Sequence, residues 1–337
     1  MSHHLSENLN DLMKRGCDFL GCNVAIMGGA MTWVSNASLV SAISNSGGFG
    51  VIACGSMPPH LLTEEIIKTR TLTQKSFGVN LIIMHPQLQE LMDVCIAQKV
   101  THVVFAGGIP ISIDIQKLKE HNIKIIGFAP SLIIAQKLER IGIDAIIIEG
   151  HEAGGHIGPV STSVLAQEIL PHIKNTPVFI AGGIGRGETM AMYLKLGASG
   201  VQLGSLFVCA TESTAHHHFK KAFIRANSRD AIVSAQLDPR FPVIPVRAIN
   251  NKGCQHFIEK QVEIIQKFNS GELSLKDGQM EIEHFWAGAL RRAVVDGDVE
   301  TGSLMAGQSV GLVKKEQPTQ DIINHLIQEC EEFLKNE

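Results

Sequence analysis

Residues 144–158 read DAIIIEGHEAGGHIG, and this stretch decides the fold. Its first half is a short run of β-branched residues, which is typical of a strand buried on both faces. Its second half changes abruptly to acid, glycine and histidine, and the four glycines within residues 149–158 let a backbone approach a ligand closely. His156 lies among these glycines and is a candidate acid or base near neutral pH. The alternative is a flexible glycine-rich turn with two solvated histidines, His151 and His156.

The same structural unit repeats on both sides of this stretch. A short apolar run is followed by glycine or a polar loop, and then by a helical pattern. The predicted strands cover residues 23–27, 49–54, 77–82, 102–106, 124–128, 144–148, 177–181 and 200–203. The predicted helices between them cover residues 38–46, 61–71, 87–99, 115–122, 132–141, 162–172 and 188–196. Eight such units predict an α/β fold, a closed (β/α)₈ TIM barrel, with an open doubly wound sheet as the alternative.

The repeat ends after residue 222. Residues 224–251 contain three prolines and no clean period, and helical patterns follow at 255–266 and 279–295. A last helical pattern covers 319–335. We therefore expect a barrel built from residues 1–224 and 300–337. A smaller helical substrate or lid domain, residues 225–299, would be inserted after the eighth strand.

Two glycine turns follow the seventh and eighth predicted strands. They read AGGI at residues 181–184 and QLGSLF at residues 202–207. In barrels, the loops after these two strands often bind phosphate through backbone N–H groups, together with a short helix N-terminus. The Ser205 hydroxyl can donate a hydrogen bond as well. The alternative is a pair of ordinary tight turns.

The composition argues against several classes of protein. A formal charge of −4 without basic blocks makes nucleic acid a poor partner, and no apolar run is long enough to span a membrane. Seven scattered cysteines without a CxxC pair indicate reduced thiols, and the polar N-terminus shows no secretory signal, so we expect a cytoplasmic protein. Three consecutive histidines at 216–218 do not share one helix face, and we expect no metal site.

Taken together, these segments resemble the nitronate monooxygenase family, once called 2-nitropropane dioxygenases. This family also contains the flavin-dependent enoyl-acyl-carrier-protein reductases. The resemblance covers almost the whole chain and is carried by EGHEAGGHIG, AGGI, QLGSLF, GAMTW at 29–33, SGGFG at 46–50, FGVN at 77–80, SAQ at 234–236 and MAGQ at 305–308. It implies a barrel that holds FMN, an inserted helical domain over the flavin, and a last segment that returns to the barrel.

The resemblance also implies roles for particular residues. His156 matches the family's catalytic histidine. The FMN phosphate would bind at the two glycine turns, at Gly182, Gly183, Gly204 and Ser205. The other cofactor-binding residues would surround the rest of the flavin: Gly29, Ala30, Met31, Asn80, Glu149, Gly155, Ala181 and Gln202. Three residues would close the substrate side: Met305, Ala306 and Gln308.

The sequence departs from the family pattern near the first strand. Ala25 stands where the family often has proline, Gly28 where it has glutamine, and Ala30 where it has a second glycine. Ser205 stands where the family often has threonine. These departures are compatible with FMN but imply that the pyrimidine edge of the flavin is held differently.

The resemblance implies two alternative activities. In the leading one, O₂ oxidises an alkyl nitronate to a carbonyl compound and nitrite, and His156 stabilises the anionic nitronate or removes the α-proton of a nitroalkane. In the alternative, NAD(P)H is the reductant for an enoyl thioester, and His156 polarises the carbonyl or protonates carbon. Residues 287–313 resemble the reductases more closely, whereas Gly28 and Ala30 depart from both branches. A non-enzymatic flavin-storage or structural barrel is a third alternative. The expected partner is a small-molecule substrate. The sequence leaves open whether the protein forms a homodimer.

Overall fold

The structure is a computed structural model that describes residues 5–241 and 245–336, without the side chains of residues 283, 284, 286 and 287. The described residues form eleven strands: β1 (Ile26–Gly28), β2 (Gly50–Ala53), β3 (Phe77–Ile82), β4 (His102–Ala106), β5 (Lys124–Phe128), β6 (Ala145–Glu149), β7 (Gly155–His156), β8 (Val178–Ala181), β9 (Gly200–Leu203), β10 (Ala231–Val233) and β11 (Val246–Ile249).

The same residues form thirteen α-helices: α1 (Glu7–Leu20), α2 (Ala37–Asn45), α3 (Pro59–Leu72), α4 (Leu88–Ala97), α5 (Ser112–Lys119), α6 (Leu132–Arg140), α7 (Thr162–Ile169), α8 (Gly187–Lys195), α9 (Ser205–Val208), α10 (His217–Arg225), α11 (Lys252–Asn269), α12 (Leu275–Arg291) and α13 (Thr319–Lys335). A π-helical turn, Arg292–Asp296, continues α12. None of the helices in the described ranges combines the length and the apolar composition that crossing a bilayer requires.

Eight parallel strands form one sheet in the order β1-β9-β8-β6-β5-β4-β3-β2. The two ends of this order meet at Phe49, whose N–H donates to the Ile26 carbonyl at 2.9 Å and whose carbonyl accepts from the Gly28 N–H at 2.9 Å. A parallel bridge between Met27 and Phe49 records the same contact. The sheet is therefore a barrel, which confirms the predicted TIM barrel and excludes the open doubly wound sheet.

The barrel strands form where β-branched residues are buried on both faces. In β6, for example, Ile146, Ile147 and Ile148 have no exposed surface. Strands β3, β4, β5 and β9 have the predicted bounds, and the other barrel strands deviate by at most three residues. Because active sites in barrels form at the C-terminal ends of the strands, this order places the loops after β1, β3, β6, β8 and β9 around one opening.

The segment after the barrel strands contains a second sheet as well as helices. Strand β11 pairs antiparallel with β10 on one side and with β7 on the other. The sequence pattern predicts only helices in residues 225–299, because β10 and β11 are short and β11 pairs with β7, which is far away in sequence. Helices α11 and α12 pack on each other around a small apolar cluster of their own: Phe241, Phe257, Ile264 and Ile282.

The last helix, α13, packs against the barrel. The Glu329 carboxylate accepts a hydrogen bond from the Gly187 N–H at 2.7 Å and forms an ion pair with Arg186 at 2.6 Å, so α13 is fixed to the start of α8. The Ser6 N–H donates to the Glu331 carboxylate at 2.6 Å. The start of α1 and the last turns of α13 therefore lie side by side on the barrel wall.

Candidate active site

A cavity of about 280 Å³ opens at the C-terminal ends of the barrel strands. Fifteen of the sixteen site residues predicted from the sequence line it, and the exception is Gln308. Phe219, Leu290 and Val294 also line it, from α10, α12 and the π-helical turn. Leu290 and Val294 belong to residues 225–299, the segment predicted to form the lid, whereas Phe219 precedes that segment. These three apolar residues carry no sequence signal that separates them from core residues.

The loop after β8 provides a cradle of backbone amides. Gly182 and Gly183 have φ angles of 92° and 76°, a conformation that favours glycine. A Cβ atom on Gly182 would lie 3.1 Å from the Ala153 nitrogen and from the Thr162 hydroxyl oxygen. Within the described part of the chain, the N–H groups of Gly182 and Gly183 donate no hydrogen bond to protein. Free N–H groups that line a cavity are suited to an anion such as a phosphate monoester.

Ser205 begins the short helix α9 after β9, next to this cradle. Its hydroxyl oxygen accepts a hydrogen bond from the Gly307 N–H at 3.2 Å. Because the oxygen is engaged as an acceptor, the hydroxyl proton is available for donation to an anion. The predicted phosphate-binding residues are thus brought together on one wall of the cavity.

Three polar side chains form a further part of the cavity wall. The Asn80 amide donates to the Val104 carbonyl at 3.0 Å, which orients its side chain. Among the described residues, neither the Glu149 carboxyl group nor the Gln202 side-chain amide has a protein hydrogen-bond partner. Buried polar groups usually have partners, so this wall fits a ligand with a polar edge.

Burial changes the protonation state of Glu149. Because protein surrounds this carboxyl group, desolvation raises its pKa to about 8. The group is therefore mainly neutral at pH 7. A neutral carboxylic acid can donate one hydrogen bond and accept another, which suits the mixed donor and acceptor edge of a heterocycle.

His156 lies on β7 rather than on a flexible loop. It pairs with Val246 of β11, and the neighbouring Ile157 N–H donates to the Pro245 carbonyl at 3.0 Å. The His151 ring hydrogen-bonds the Gly158 carbonyl at 3.0 Å, which closes the loop on itself. These contacts hold the backbone of the loop on both sides of His156. The His156 ring is accessible through the open cavity, but nearby protein desolvates it and lowers its pKa.

Glu152 lies beside the cradle and is not among the site residues predicted from the sequence. Its carboxylate accepts hydrogen bonds from the Thr162 N–H at 2.8 Å and the Thr162 hydroxyl at 2.9 Å. This pair fixes the loop after β6 to the start of α7, beside Gly182 and Gly183. Nothing in the local sequence distinguishes Glu152 from a solvated loop residue.

Gln308 departs from its expected position. It lines a second cavity of about 230 Å³, which also touches Gly182, Gly183 and Tyr193. Its N–H donates to the Glu152 carbonyl at 2.9 Å. Gln308 therefore lies beyond the amide cradle, whereas Met305 and Ala306 line the main cavity as expected.

The three consecutive histidines lie at the start of α10. Their imidazole nitrogens are within 4.8 Å of one another, and His217 and His218 are exposed. The absence of a metal site stays a prediction.

Comparisons with known proteins find similarity along nearly the whole chain. The sequence profile of the nitronate monooxygenase family matches residues 14–329. A probable nitronate monooxygenase of Staphylococcus aureus is 29% identical, over 96% of this chain and 98% of that protein. A hydroxy-methyl-oxo-octahydroindene-carboxyl-CoA dehydrogenase of Rhodococcus jostii is 28% identical, over 92% and 93%. The structure of FabK from Thermotoga maritima is 37% identical with a TM-score of 0.86, over 96% and 97%.

These similarities exclude the non-enzymatic alternative, because the family and the similar proteins are oxidoreductases. With a matching barrel and a profile that covers residues 14–329, this chain belongs to the nitronate monooxygenase family of flavin-dependent oxidoreductases.

Proposed function

We propose that this protein binds FMN and reduces the carbon–carbon double bond of an enoyl thioester with NAD(P)H, as an enoyl-acyl-carrier-protein reductase does. Similarity supports this choice over nitronate oxidation. FabK, an enoyl-acyl-carrier-protein reductase, is 37% identical over nearly the whole chain. The Rhodococcus relative is named for a CoA thioester. The relative named as a nitronate monooxygenase is 29% identical.

The residues of the cavity fit FMN. The amides of Gly182 and Gly183 and the Ser205 hydroxyl would hold the phosphate without a counter-charged side chain. Asn80, Glu149 and Gln202 would face the polar atoms of the ring and ribityl chain. Bound FMN supplies the redox chemistry, since it takes up hydride equivalents from NAD(P)H and returns them to substrate.

The charge of the cavity is the observation that carries the proposal. Among its described lining residues, none is lysine or arginine, and the titratable ones are Glu149, Glu152 and His156. Burial raises the pKa of Glu149 to about 8 and desolvation lowers that of His156, so both are mainly neutral at pH 7. An anionic nitronate would find no cation here. A neutral thioester meets no such penalty.

His156 would act as a hydrogen-bond donor to the substrate. A neutral imidazole that donates its N–H to a carbonyl oxygen stabilises the charge that develops there as hydride reaches the β-carbon. The lowered pKa of His156 keeps the ring neutral at pH 7. The strand pairing of β7 with β11 holds this ring over the cavity.

Nitronate oxidation is the second candidate, and one observation favours it. The His156 ring is accessible and neutral at pH 7. It therefore has an unprotonated ring nitrogen that can remove the α-proton of a neutral nitroalkane. The family profile and the Staphylococcus relative carry the same activity in their names.

One experiment separates the two candidates. The purified, FMN-loaded protein is assayed without O₂ for NADH- and NADPH-dependent reduction of crotonyl-CoA and of a crotonyl acyl-carrier protein. It is assayed in air for O₂ uptake and nitrite release with ethyl nitronate and with nitroethane. We expect thioester reduction to be faster by at least about tenfold in kcat/KM, which corresponds to a difference of about 1.4 kcal/mol between the two activation free energies. Nitrite release without thioester reduction would overturn the proposal in favour of the second candidate.

A further inference from the structure

Arg247 is a buried arginine of β11 that the sequence analysis does not single out. Only 3% of its surface is exposed. It lies opposite Gly155, the residue before His156, in the β11–β7 register. It does not line either of the two cavities described above. Its side chain therefore acts within the protein and does not touch substrate or cofactor.

The guanidinium group of Arg247 joins two segments by three hydrogen bonds. Its Nε and Nη2 atoms both donate to the His151 carbonyl, at 3.1 and 3.0 Å. Its Nη1 atom donates to the Ala231 carbonyl of β10 at 2.6 Å. Within residues 5–241 and 245–336, Arg247 forms no ion pair shorter than 4.0 Å. Desolvation lowers its pKa, and the charge of Glu152 opposes this effect.

The backbone of Arg247 adds a third segment. Its carbonyl accepts a hydrogen bond from the Ala306 N–H at 3.3 Å, and the next residue, Ala248, forms a bridge with Met305. The loop with His156, strand β10 and the segment with Met305 are thus tied to one residue. Each of the first and third segments contributes to the wall of the main cavity.

We propose that Arg247 is the positioning residue for His156: its guanidinium fork holds the loop after β6 at the distance from β10 and β11 that places the histidine ring over the cavity. The cost of burying the charge is partly offset because three of the five N–H donors form hydrogen bonds to carbonyl oxygens. Lysine could not replace this arrangement, since an ammonium group lacks a planar fork that spans two carbonyls. The catalytic consequence rests on the proposed function, whereas the placement of the loop does not.

The test uses Arg247→Lys and Arg247→Met in the FMN-loaded protein. Arg240→Met is the matched control, because Arg240 is an exposed arginine of the same inserted segment whose ion pair is with Asp238. Two quantities are measured for each variant: hydrogen exchange at the Ile157 and His151 amides, with Val79 in β3 as the internal reference, and kcat and KM for crotonyl-CoA per bound flavin.

We expect Arg247→Met to speed exchange at Ile157 and His151 by roughly 10- to 100-fold, as for loss of hydrogen bonds to a charged group, with Val79 unchanged. Per bound flavin, kcat should fall about 100-fold with little change in KM, because a misplaced catalytic group affects the transition state. Arg247→Lys should recover only part of both effects. Flavin content should stay at the wild-type level, since Arg247 does not reach the phosphate cradle.

Wild-type exchange at Ile157 in both Arg247 variants would overturn the proposal, whatever the activity. If Arg247→Met does not fold, hydrogen exchange at Ile157 in Arg247→Lys, which keeps the charge, decides instead. If the wild-type protein does not reduce thioesters but exchange rises as expected, the proposed function fails and the positioning role stands. A fall in kcat equal to that of Arg240→Met would mean that the loss is general and not specific to the His156 loop.

Discussion

The Gly307 N–H donates a hydrogen bond to the Ser205 hydroxyl oxygen at 3.2 Å. This bond joins the segment between the π-helical turn and α13 to the start of α9, which follows the last barrel strand. It also leaves the Ser205 proton free to face the amide cradle at Gly182 and Gly183. The phosphate side of the candidate site is therefore completed by a contact across 102 residues of sequence.

Replacing Ser205 with alanine should weaken FMN binding. The variant loses one donor to a dianionic phosphate, and such bonds contribute about 1.5–3 kcal/mol, or roughly a 10- to 100-fold rise in Kd. Fluorescence titration of the flavin-free protein measures the change. Ser163→Ala, on the exposed face of α7, should bind FMN as the wild type does. An unchanged Kd for Ser205→Ala would place the phosphate elsewhere.

Replacing Gly183 with aspartate should remove bound flavin. The side chain would strain a backbone with a φ of 76° and would bring like charge to the phosphate. Gly197→Asp is a matched control, because Gly197 also has a positive φ, of 103°, but no heavy atom within 4 Å of an added Cβ. Flavin absorbance of the purified proteins measures how much flavin each variant binds. Full occupancy in Gly183→Asp would show that the cradle does not bind the phosphate.

Replacing His156 with asparagine should preserve flavin binding but slow turnover by roughly 10²–10⁴-fold, as for loss of a group in proton transfer or carbonyl polarisation. His172→Asn, an exposed histidine beyond α7, serves as the control. If nitroalkanes are the substrates, the loss should be larger for neutral nitroalkanes than for preformed nitronates, which need no deprotonation. Wild-type rates with every substrate would leave His156 as a structural residue of β7.

Replacing Glu149 with glutamine should stabilise the flavin-free protein at pH 7. The folded pKa of about 8 lies above the ordinary value of 4.5, so unfolding releases this proton, and wild-type stability falls as pH rises from 4.5 to 8. At pH 7 the penalty is about 3 kcal/mol, taking 1.36 kcal/mol per pH unit. Glutamine removes the group, and urea unfolding at several pH values should show a flatter profile. Equal pH slopes would contradict the raised pKa.

His102, at the start of β4, should make the protein sensitive to acid. Burial lowers its pKa from 6.5 to about 4, and its Nε2–H donates to the Phe19 carbonyl at 3.0 Å. Between pH 6.5 and 4 the unfolded chain binds a proton that the folded chain does not, so acid costs about 3 kcal/mol of stability. His102→Gln should lack this component of the pH dependence. A wild-type slope in that variant would show that other groups cause the acid loss.

The barrel and most of the cavity could be predicted from sequence because their signals are local. A strand buried on both faces, such as β6, is a continuous β-branched run, and the glycine turns after β8 and β9 follow their strands directly. Motif spacing then places Glu149 and Gln202 at or next to the ends of β6 and β9 and Asn80 within β3, and the barrel brings the three side chains to one cavity.

The second sheet could not be predicted in the same way. Its pairing of Val246 with His156 joins residues 90 positions apart, and β7 has only two residues. Arg247 looks like a solvated charge in sequence, because only the folded chain brings the His151 and Ala231 carbonyls to its guanidinium. The position of Gln308 has a related reason: MAGQ reads as one motif, but its last residue lines the second cavity and the two before Gly307 line the main one.

The hydrogen bond between the Ser6 N–H and the Glu331 carboxylate has a consequence for circularly permuted versions of this protein. Because the start of α1 lies beside the last turns of α13, a short linker could connect the end of α13 to the start of α1 without stretching either helix. New ends could then be opened at Gly271, between α11 and α12, where the turn is exposed and an added Cβ would meet no heavy atom within 4 Å. Such a circular permutant would keep the barrel order and both cavities, while its free ends would lie at the tip of the inserted helical pair.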